Sequence, residues 1–317
     1  MTVGSGRALS GTHGRPRRTQ HGGERGSDRG DRNHCAADCA TLLDMENQQQ
    51  LAARLRALHA GPGTFVIPNV WDGASALMMQ ALGFKALATS SAACAGTLGR
   101  ADGQITREEA LAHARLIVAV SHCPVSADLE NGFGPEPTRA AETIRLAAGA
   151  GLVGGSIEDA SGDARAPIYE LTHAVERVAA AVEAARALPF PFTLTARAEN
   201  FLHGRPDLDD TLRRLQAFER AGADVLFAPG LPDLHAVRTV CQAVKVPVNF
   251  MVGIPGKSFS VAELAAAGVK RISLSTSLYR AAMTGVLAAG REVAERGTFT
   301  YVERLMRSDE LMGFLDL

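Results

Sequence analysis

The sequence has few aromatic residues, few lysines, no excess of charge of either sign and no long apolar run. Aromatic residues make up 5% of the 317 residues, and the formal charge at pH 7 is −1. A nearly neutral chain lacks the basic surface with which proteins bind nucleic acid or an anionic membrane. Its apolar runs are also shorter than the roughly 18 residues of a transmembrane helix. We therefore expect a globular protein that has neither kind of partner.

Cysteine is scarce and irregularly spaced. The five cysteines are Cys35, Cys39, Cys94, Cys123 and Cys241. An odd number in a chain of this length argues against a disulfide framework and favours a reduced, cytoplasmic setting. Cys35 and Cys39 lie near His34, but no second pair of zinc ligands follows them, so a zinc site remains a minor alternative there.

The first 44 residues differ in composition from the rest of the chain. Residues 1–34 hold seven Arg and three acidic residues, a net charge of +4, which leaves −5 for the remainder. They have no hydrophobic period and cannot bury enough apolar surface to offset the entropy of ordering. We predict a disordered Gly/Arg-rich tail over 1–44 and a catalytic domain over 45–317, which opens with a helix at 46–59.

The rest of the chain alternates strand and helix eight times. The predicted strands are 64–68, 86–90, 125–129, 154–158, 193–198, 225–228, 248–251 and 271–275, and the helices between them begin near Asp72, Thr106, Glu136, Ile168, Asp207, Leu231, Ser260 and Leu278. Such alternation indicates βαβ units and a parallel sheet. Eight units favour the α/β fold of a (β/α)8 TIM barrel over an open sheet. A further C-terminal helix, about 299–314, follows the eighth unit.

Polar side chains gather at the carboxyl ends of the predicted strands, whereas the strand starts are apolar or carry Gly or Pro. The polar residues include Asn69, Thr89, Ser90, Ser91, Asp128, Glu130, Asn131, Glu158, Asp159, Arg197, Glu199, Asn200, Asn249, Ser273 and Ser275. TIM-barrel enzymes carry their chemistry at this end of the barrel. The asymmetry therefore predicts an active site there.

Some reaction types have no candidate residue at this end. A Schiff-base mechanism needs a lysine inside the barrel, and only Lys257 lies on the functional side, in a turn. The histidines lie mostly in the tail or in predicted helices, and His122 and His203 fall in loops. Neither a serine nucleophile elbow nor a His-Glu-x-x-His motif is present.

Three carboxylates point to a divalent cation. Asp128 and Glu130 are two residues apart on a predicted strand, so we expect them to face the same side. Glu158 ends the neighbouring strand, and three converging carboxylates would repel one another without a cation. Oxygen ligands suit Mg²⁺, with Mn²⁺ as a second possibility. The alternative is that these acids cap helices or pair with arginine, and we favour that alternative for Asp159.

Arg197 ends the next strand and lies within reach of an anionic substrate. A guanidinium binds a carboxylate through a two-pronged hydrogen-bonded contact. The alternative role is an ion pair with Glu158 or Glu199. Ser90 and Ser91, with the amides that follow them, could hold a second carboxylate, although a Thr-Ser-Ser strand end is weak support by itself.

Four motifs together resemble the isocitrate lyase/phosphoenolpyruvate mutase superfamily. The run S-A-D-L-E-N-G-F-G at 126–134 resembles the metal-binding strand D-x-D-T-G-Y-G of that family. S-I-E-D at 156–159, T-A-R-A-E at 195–199 and L-G-R-A-D at 98–102 resemble three further motifs in the same order. The register holds across about residues 60–290.

The resemblance implies Mg²⁺ held by Asp128 and, directly or through water, by Glu130 and Glu158. It implies an α-keto or α-hydroxy acid substrate and stabilisation of a pyruvate-like enolate. The implied catalytic residues are Arg197, Glu158 and Asp102, the last near the water shell of the metal. The implied substrate-binding residues are Ser90, Ser91, Ala92, Arg197 and Asn249. Exchange of the last helix between subunits, as in the family, implies a homodimer or homotetramer.

One loop departs from the family. Its lyases carry K-K/R-C-G-H after the fourth strand, with Cys as acid and base, whereas residues 160–169 contain no Cys, Lys or His. The loop is also shorter than that of the phosphonomutases. Decarboxylation of a keto acid such as oxaloacetate requires no such acid, because CO2 leaves without a proton. Arg165 or Tyr169 could still supply a polar group.

We therefore expect a Mg²⁺-dependent lyase or decarboxylase of a small α-keto (di)carboxylate that works through a metal-stabilised pyruvate enolate. Three alternatives stay open. They are a C–P bond enzyme (phosphoenolpyruvate mutase or phosphonopyruvate hydrolase), a 2-methylisocitrate lyase-like enzyme, and a barrel that binds a metabolite without turnover.

Overall fold

The computed structural model of the protein describes residues 47–315. The predicted tail over 1–44, together with the zinc alternative at Cys35 and Cys39, lies outside the described residues. The predicted first helix is present as α1, which covers 47–60. No helix in 47–315 is both long enough and apolar enough to cross a membrane.

Eight parallel strands form one sheet in the order β1-β8-β7-β6-β5-β4-β3-β2. They are β1 (Phe65–Ile67), β2 (Leu87–Ala88), β3 (Val125–Asp128), β4 (Gly154–Glu158), β5 (Thr193–Arg197), β6 (Val225–Phe227), β7 (Val248–Met251) and β8 (Arg271–Ser273). The two ends of the sheet meet at a parallel bridge between Asn69 and Ala88, where the Val70 amide donates to the Ala88 carbonyl at 2.8 Å. The predicted (β/α)8 barrel is therefore confirmed.

Helices surround the barrel. They are α2 (Gly73–Ala81), α3 (Ser91–Thr97), α4 (Arg107–Val120), α5 (Pro137–Gly149), α6 (Leu171–Arg186), α7 (Leu208–Arg220), α8 (Leu234–Ala243), α9 (Val261–Ala266), α10 (Ser277–Arg296) and α11 (Ser308–Leu315). Four predicted helix starts are N-cap residues whose side chains accept a backbone amide: Asp72, Thr106, Asp207 and Ser260. Such caps satisfy amides that the helix itself leaves unpaired, which is why the sequence marks these starts well.

The structure corrects two expectations at the level of elements. Helix α3 was not predicted, because its seven residues are small and carry no hydrophobic period. The single C-terminal helix predicted over 299–314 is instead a short 3-10 turn (Thr300–Arg304) followed by α11. The preceding helix α10 ends at Gly297, whose left-handed φ of 63° turns the chain away.

Apolar side chains fill the layer between the strands and the helices. Leu87, Leu194 and Ile157 point into this layer and are almost fully buried, as are Phe192 and Phe218. The three cysteines in the described part, Cys94, Cys123 and Cys241, form no disulfide. The packed layer fixes the strand ends in space, and it is these ends that build the site.

Candidate active site

A cavity of about 980 Å³ opens at the carboxyl ends of the strands. Every site residue predicted from the sequence lines it: Ser90, Ser91, Ala92, Asp102, Asp128, Glu130, Glu158, Arg197 and Asn249. These residues come from the start of α3 and the loop after it, from the ends of β3, β4 and β5, and from within β7. The barrel thus brings together side chains that are up to 159 positions apart in the chain.

Arg197 lies at the centre of the acidic residues. Its Nη1 is 3.0 Å from Glu158 Oε2 and 3.7 Å from Asp128 Oδ1, and its Nε donates to Glu199. Both ion pairs that the sequence left as the alternative role of Arg197 are therefore present. The Phe227 ring lies 5.2 Å from the guanidinium carbon and holds the group from one face. Nη2 has no hydrogen-bond partner in the described part of the chain, which leaves one edge of the guanidinium for a substrate.

Glu130 lines the cavity, but not for the reason given by the sequence pattern. Strand β3 ends at Asp128, and Glu130 has a left-handed φ of 48°, so the two residues do not share a strand face. Its Oε1 is buried and has no hydrogen-bond partner among residues 47–315. Burial, followed by the charges of Asp128 and Asp102, raises the pKa of Glu130 to about 7. The positive charge of Arg197 acts against this rise in the pKa but does not offset it.

Glu158 has the same imbalance. Burial raises the pKa of this carboxyl well above its usual value, against the effect of Arg197. The negative charges of Glu199, Asp128 and Glu130 act in the same direction as burial. Three carboxylates, those of Asp128, Glu158 and Glu199, thus lie within 4 Å of one guanidinium, and Glu130 adds a fourth negative charge to the cavity.

These residues fit a hard divalent cation. Within residues 47–315 no three His, Cys, Asp or Glu side chains lie close enough to form a complete cage. Mg²⁺ does not need one, because it binds one or two carboxylates and keeps several waters. Asp128, Glu130 and Glu158 offer oxygen ligands only. Glu130 Oε1, which has no hydrogen-bond partner in the described residues, is available to coordinate a cation. The fit to a divalent cation therefore rests on two observations: the candidate ligands are all carboxylate oxygens, and their negative charge exceeds the positive charge of Arg197.

The Thr-Ser-Ser strand end is tied to Asp128. The Ser91 amide and hydroxyl donate to Asp128 Oδ2 at 3.3 and 3.1 Å. The Ser90 hydroxyl accepts the Ala93 amide at 3.3 Å and so caps α3. Burial, and less strongly the charge of Asp128, raise the pKa of Asp102 against a hydrogen bond from Ser91. Ser91 thereby links the two acids that flank it.

Asn249 is held by a residue that the sequence interpretation missed. Arg271 Nε donates to Asn249 Oδ1 at 2.8 Å, and Asn249 Nδ2 donates to Ser273 Oγ at 3.0 Å. Arg271 also donates to Thr195 Oγ1 at 2.9 Å, and its Nη1 is buried without a partner. The expectation that strand starts are apolar is wrong here. Arg271 and Ser273 are two apart on β8 and share the inward face, a signal that was readable from the period of the strand.

The loop at 160–169 contributes little to the cavity. Of its residues only Ala160 and Gly162 line the cavity. Arg165 and Asp163 form an exposed ion pair of 3.3 Å. Tyr169 packs its ring against Arg177, 4.5 Å from the guanidinium carbon, and does not line the cavity. Arg165 and Tyr169, the two residues that could have replaced the acid of the family's loop, therefore do not line the cavity.

Asp159 has the structural role favoured for it. Its Oδ2 is 3.0 Å from Arg214 Nη1, and its Oδ1 accepts the Glu199 amide at 2.8 Å. It is 2% exposed and faces the helices rather than the cavity. The prediction of an arginine pair is confirmed.

Glu199 and His203 form a second pair at the cavity that the sequence did not assign. His203 Nε2 lies 3.5 Å from Glu199 Oε2, and both residues line the cavity. Glu199 is 2% exposed, whereas the His203 side chain is 36% exposed. The sequence shows that His203 follows the strand-end acid Glu199 by four residues. It does not show the path of the loop between them, and that path decides whether the two side chains meet.

Comparison with known proteins agrees with this geometry. The family model described as phosphoenolpyruvate phosphomutase matches residues 55–294. The chain belongs to this family. Its relatives place it in the PEP mutase/isocitrate lyase superfamily, which confirms the resemblance seen in the motifs. Named relatives include lyases and mutases, which supports lyase chemistry at the level of the family.

Three relatives illustrate the range. A solved structure from Burkholderia cenocepacia J2315, named provisionally as a lyase/mutase, is 52% identical, has a TM-score of 0.84 and matches over 86% of this chain and 98% of its own. The 2-methylisocitrate lyase of Aeropyrum pernix is 29% identical over 77% of this chain and 80% of its own. The oxaloacetate decarboxylase of Bradyrhizobium diazoefficiens is 30% identical over 62% of this chain and 68% of its own.

Proposed function

We propose that this protein is a Mg²⁺-dependent lyase or decarboxylase of a small α-keto dicarboxylate such as oxaloacetate. The observation that carries the proposal is a cavity in which three carboxylates surround one arginine and which no ionisable side chain of loop 160–169 lines. Cleavage that releases CO2 needs an electron sink and a carboxylate anchor, but it needs no acid on the departing fragment. Enzymes of this superfamily generally depend on a divalent metal, and one relative is an oxaloacetate decarboxylase.

The chain's own groups would divide the work. Asp128 would hold the cation directly, and Glu130 and Glu158 would hold it directly or through water; the cation would supply Lewis-acid stabilisation of the negative charge on the keto oxygen. Arg197 would bind the substrate carboxylate through its free Nη2 edge, since Glu199 fixes its Nε. Ser91 and Asn249 would orient the carboxylate groups, and Arg271 fixes the Asn249 amide. Asp102 lies beside Ser91 and Asp128, where it would bind water of the metal shell.

The test is release of pyruvate from oxaloacetate by the purified protein, followed in a coupled assay with Mg²⁺, with Mn²⁺ and with EDTA. We expect enzyme-dependent release that requires a divalent ion and exceeds the rate of the metal ion alone. Absence of release would exclude oxaloacetate decarboxylation.

Two other functions predict different outcomes in parallel samples. A C–P bond enzyme would consume phosphonopyruvate, which ³¹P NMR detects directly. A barrel that binds a metabolite without turnover would bind oxalate and convert neither compound. Release of pyruvate and succinate from 2-methylisocitrate would indicate the longer-substrate lyase, for which the missing loop acid offers no support.

We also propose that a second copy of the chain covers α10 and that the protein forms a dimer or tetramer through its C-terminal helices. Of the twenty residues of α10 only Glu292 is buried, and Val286 and Leu287 are 65% and 52% exposed. Leu305, Met306 and Met312 extend this exposed apolar surface. An apolar face of this extent is typical of an interface.

The oligomer is tested by analytical ultracentrifugation. We expect wild type to sediment as a dimer or tetramer and Leu287→Glu to shift toward monomer. Leu116→Glu changes a leucine on α4 that is more exposed than Leu287, and it should leave the sedimentation coefficient unchanged. A monomeric wild type would refute the proposal.

A further inference from the structure

The cavity contains one imidazole, a side chain whose ordinary pKa suits proton transfer near neutral pH. No Cys, Lys or Tyr lines it within residues 47–315, and His203 is its only histidine. Conversion of an enolate formed in this cavity to pyruvate nevertheless requires a proton at carbon. General acids work best when their ordinary pKa is close to the working pH, and histidine meets that condition.

The surroundings of His203 orient the ring and stabilise its charged form. Nε2 faces Glu199 Oε2 at 3.5 Å, and Nδ1 has no hydrogen-bond partner in the described part of the chain. The hydrogen bond with Glu199 raises the pKa of His203, and the other charges that act on it are those of Arg197 and Asp159. Because Glu199 is itself fixed by Arg197 and almost fully buried, the carboxylate cannot turn away from the ring.

The acids of the cavity are less suited to this task. Under the proposed function Asp128, Glu130 and Glu158 face the cation and are ionised. Asp102 lies next to Ser91 and close to Asp128, a proposed cation ligand. His203 is exposed at the mouth of the cavity, where water can restore its proton after each turnover.

We propose that His203 is the acid–base residue of this cavity, with Glu199 holding its Nε2 side. Nδ1–H donates its proton to C3 of the enolate: the Nδ1–H bond breaks, a C3–H bond forms from the enolate electron pair, and neutral imidazole remains until water reprotonates it. In reverse, neutral Nδ1 removes a proton from C3 of bound pyruvate. This inference rests on the proposed function and adds to it the proton donor that loop 160–169 does not provide.

The reverse step gives a test that does not depend on decarboxylation. The protein is incubated with pyruvate and Mg²⁺ in D2O, and loss of the methyl signal is followed by ¹H NMR. We expect wild type to exchange the C3 hydrogens and His203→Gln to do so about 10²-fold more slowly. His235→Gln, which changes an exposed histidine on α8 outside the cavity, should exchange at the wild-type rate.

Chemical rescue separates proton transfer from a structural role. Added imidazole should restore exchange to His203→Ala in proportion to its concentration, and it should have no effect on wild type. Exchange by wild type that His203→Gln leaves unchanged would overturn the assignment of His203 while the proposed function stands. A wild type that neither exchanges pyruvate nor decarboxylates oxaloacetate would overturn both.

A second readout needs no metal and no turnover. The pKa of His203, measured by NMR in the metal-free protein, should lie above that of an exposed histidine and fall in Glu199→Gln. The pKa of His235 in the same spectra serves as the internal reference. An unchanged His203 pKa in a folded Glu199→Gln protein would contradict the pairing on which the proposal depends.

Discussion

Glu158 and Asp159 are neighbours at the end of β4, and they face opposite surroundings. Asp159 faces the helices, where Arg214 and the Glu199 amide satisfy its two oxygens. Glu158 faces the cavity, where it shares Arg197 with two other acids. Of these two adjacent residues, Asp159 has its charge neutralised by an arginine of its own, whereas the charge of Glu158 is only partly neutralised by an arginine that it shares.

The buried group around Asp159, on the side of the sheet that faces the helices, is fully paired. Arg214 donates to Asp159, to Asp210 and to the Tyr169 carbonyl at 2.8–3.0 Å. At the cavity, by contrast, Glu130 Oε1 has no partner and the acids outnumber the arginine. The difference teaches that full pairing within the chain marks the structural acids, whereas acids that share one arginine mark the proposed place of a cation and a substrate. Three predictions follow this contrast, from the largest expected effect to the smallest.

Arg214→Met should lower the free energy of unfolding by about 3–5 kcal/mol, because it leaves Asp159 buried without its counter-charge. Arg213→Met removes a neighbouring arginine whose pair with Asp210 is exposed, and it should cost less than about 1 kcal/mol. Urea unfolding measures both. Equal losses of unfolding free energy in the two variants would mean that the buried pair of Arg214 and Asp159 does not stabilise the fold.

Asp128→Ala should lower kcat/KM for the substrate about 10²–10³-fold while the protein remains folded. Activity is expected to fall because the substitution removes a proposed ligand of the cation. Asp128 also adds to the negative charge at the cavity, where three carboxylates share one arginine. Removal of that charge should leave the thermal midpoint of the metal-free protein equal to or above that of wild type. A large fall in the midpoint without loss of activity would place Asp128 with the structural acids.

Glu130→Gln should remove part of the pH dependence of stability in EDTA. The pKa of Glu130 is raised to about 7 in the folded protein, so the folded state binds more protons than the unfolded state between about pH 4.5 and 7. This favours the folded state at the acidic end, and the benefit is lost as pH rises through 7. Urea unfolding from pH 5 to 8 should therefore show wild type losing stability relative to Glu130→Gln. A constant difference between the two proteins would contradict the shifted pKa.

Much of the barrel is predictable from the sequence because strand and helix signals are local. The predicted bounds of β4 and β7 match the structure, and the cap residues mark four helix starts. The turn at Gly297, however, depends on a left-handed backbone angle that no hydrophobic period reveals. Short helices such as α3, whose residues are mostly small, escape for the same reason.

The site is predictable in its members but not in its contacts. Strand-end position was enough to gather Asp128, Glu158 and Arg197 at one cavity. It was not enough for Glu130, whose side chain reaches the cavity through a left-handed turn, or for His203, which is placed by the loop after β5. Arg271 was missed because it begins a strand, and strand starts were expected to be apolar. Its position two residues before Ser273 nevertheless implied that its side chain points into the barrel.

Binding of Mn²⁺ in the presence of oxalate tests the central claim most directly. Electron paramagnetic resonance counts the free ion while wild type, Asp128→Asn and Asp209→Asn are titrated, the last being an exposed acid on α7. The account predicts one Mn²⁺ per subunit for wild type and Asp209→Asn, and loss of that binding in Asp128→Asn. Unchanged binding by Asp128→Asn, or no binding by wild type, would contradict it.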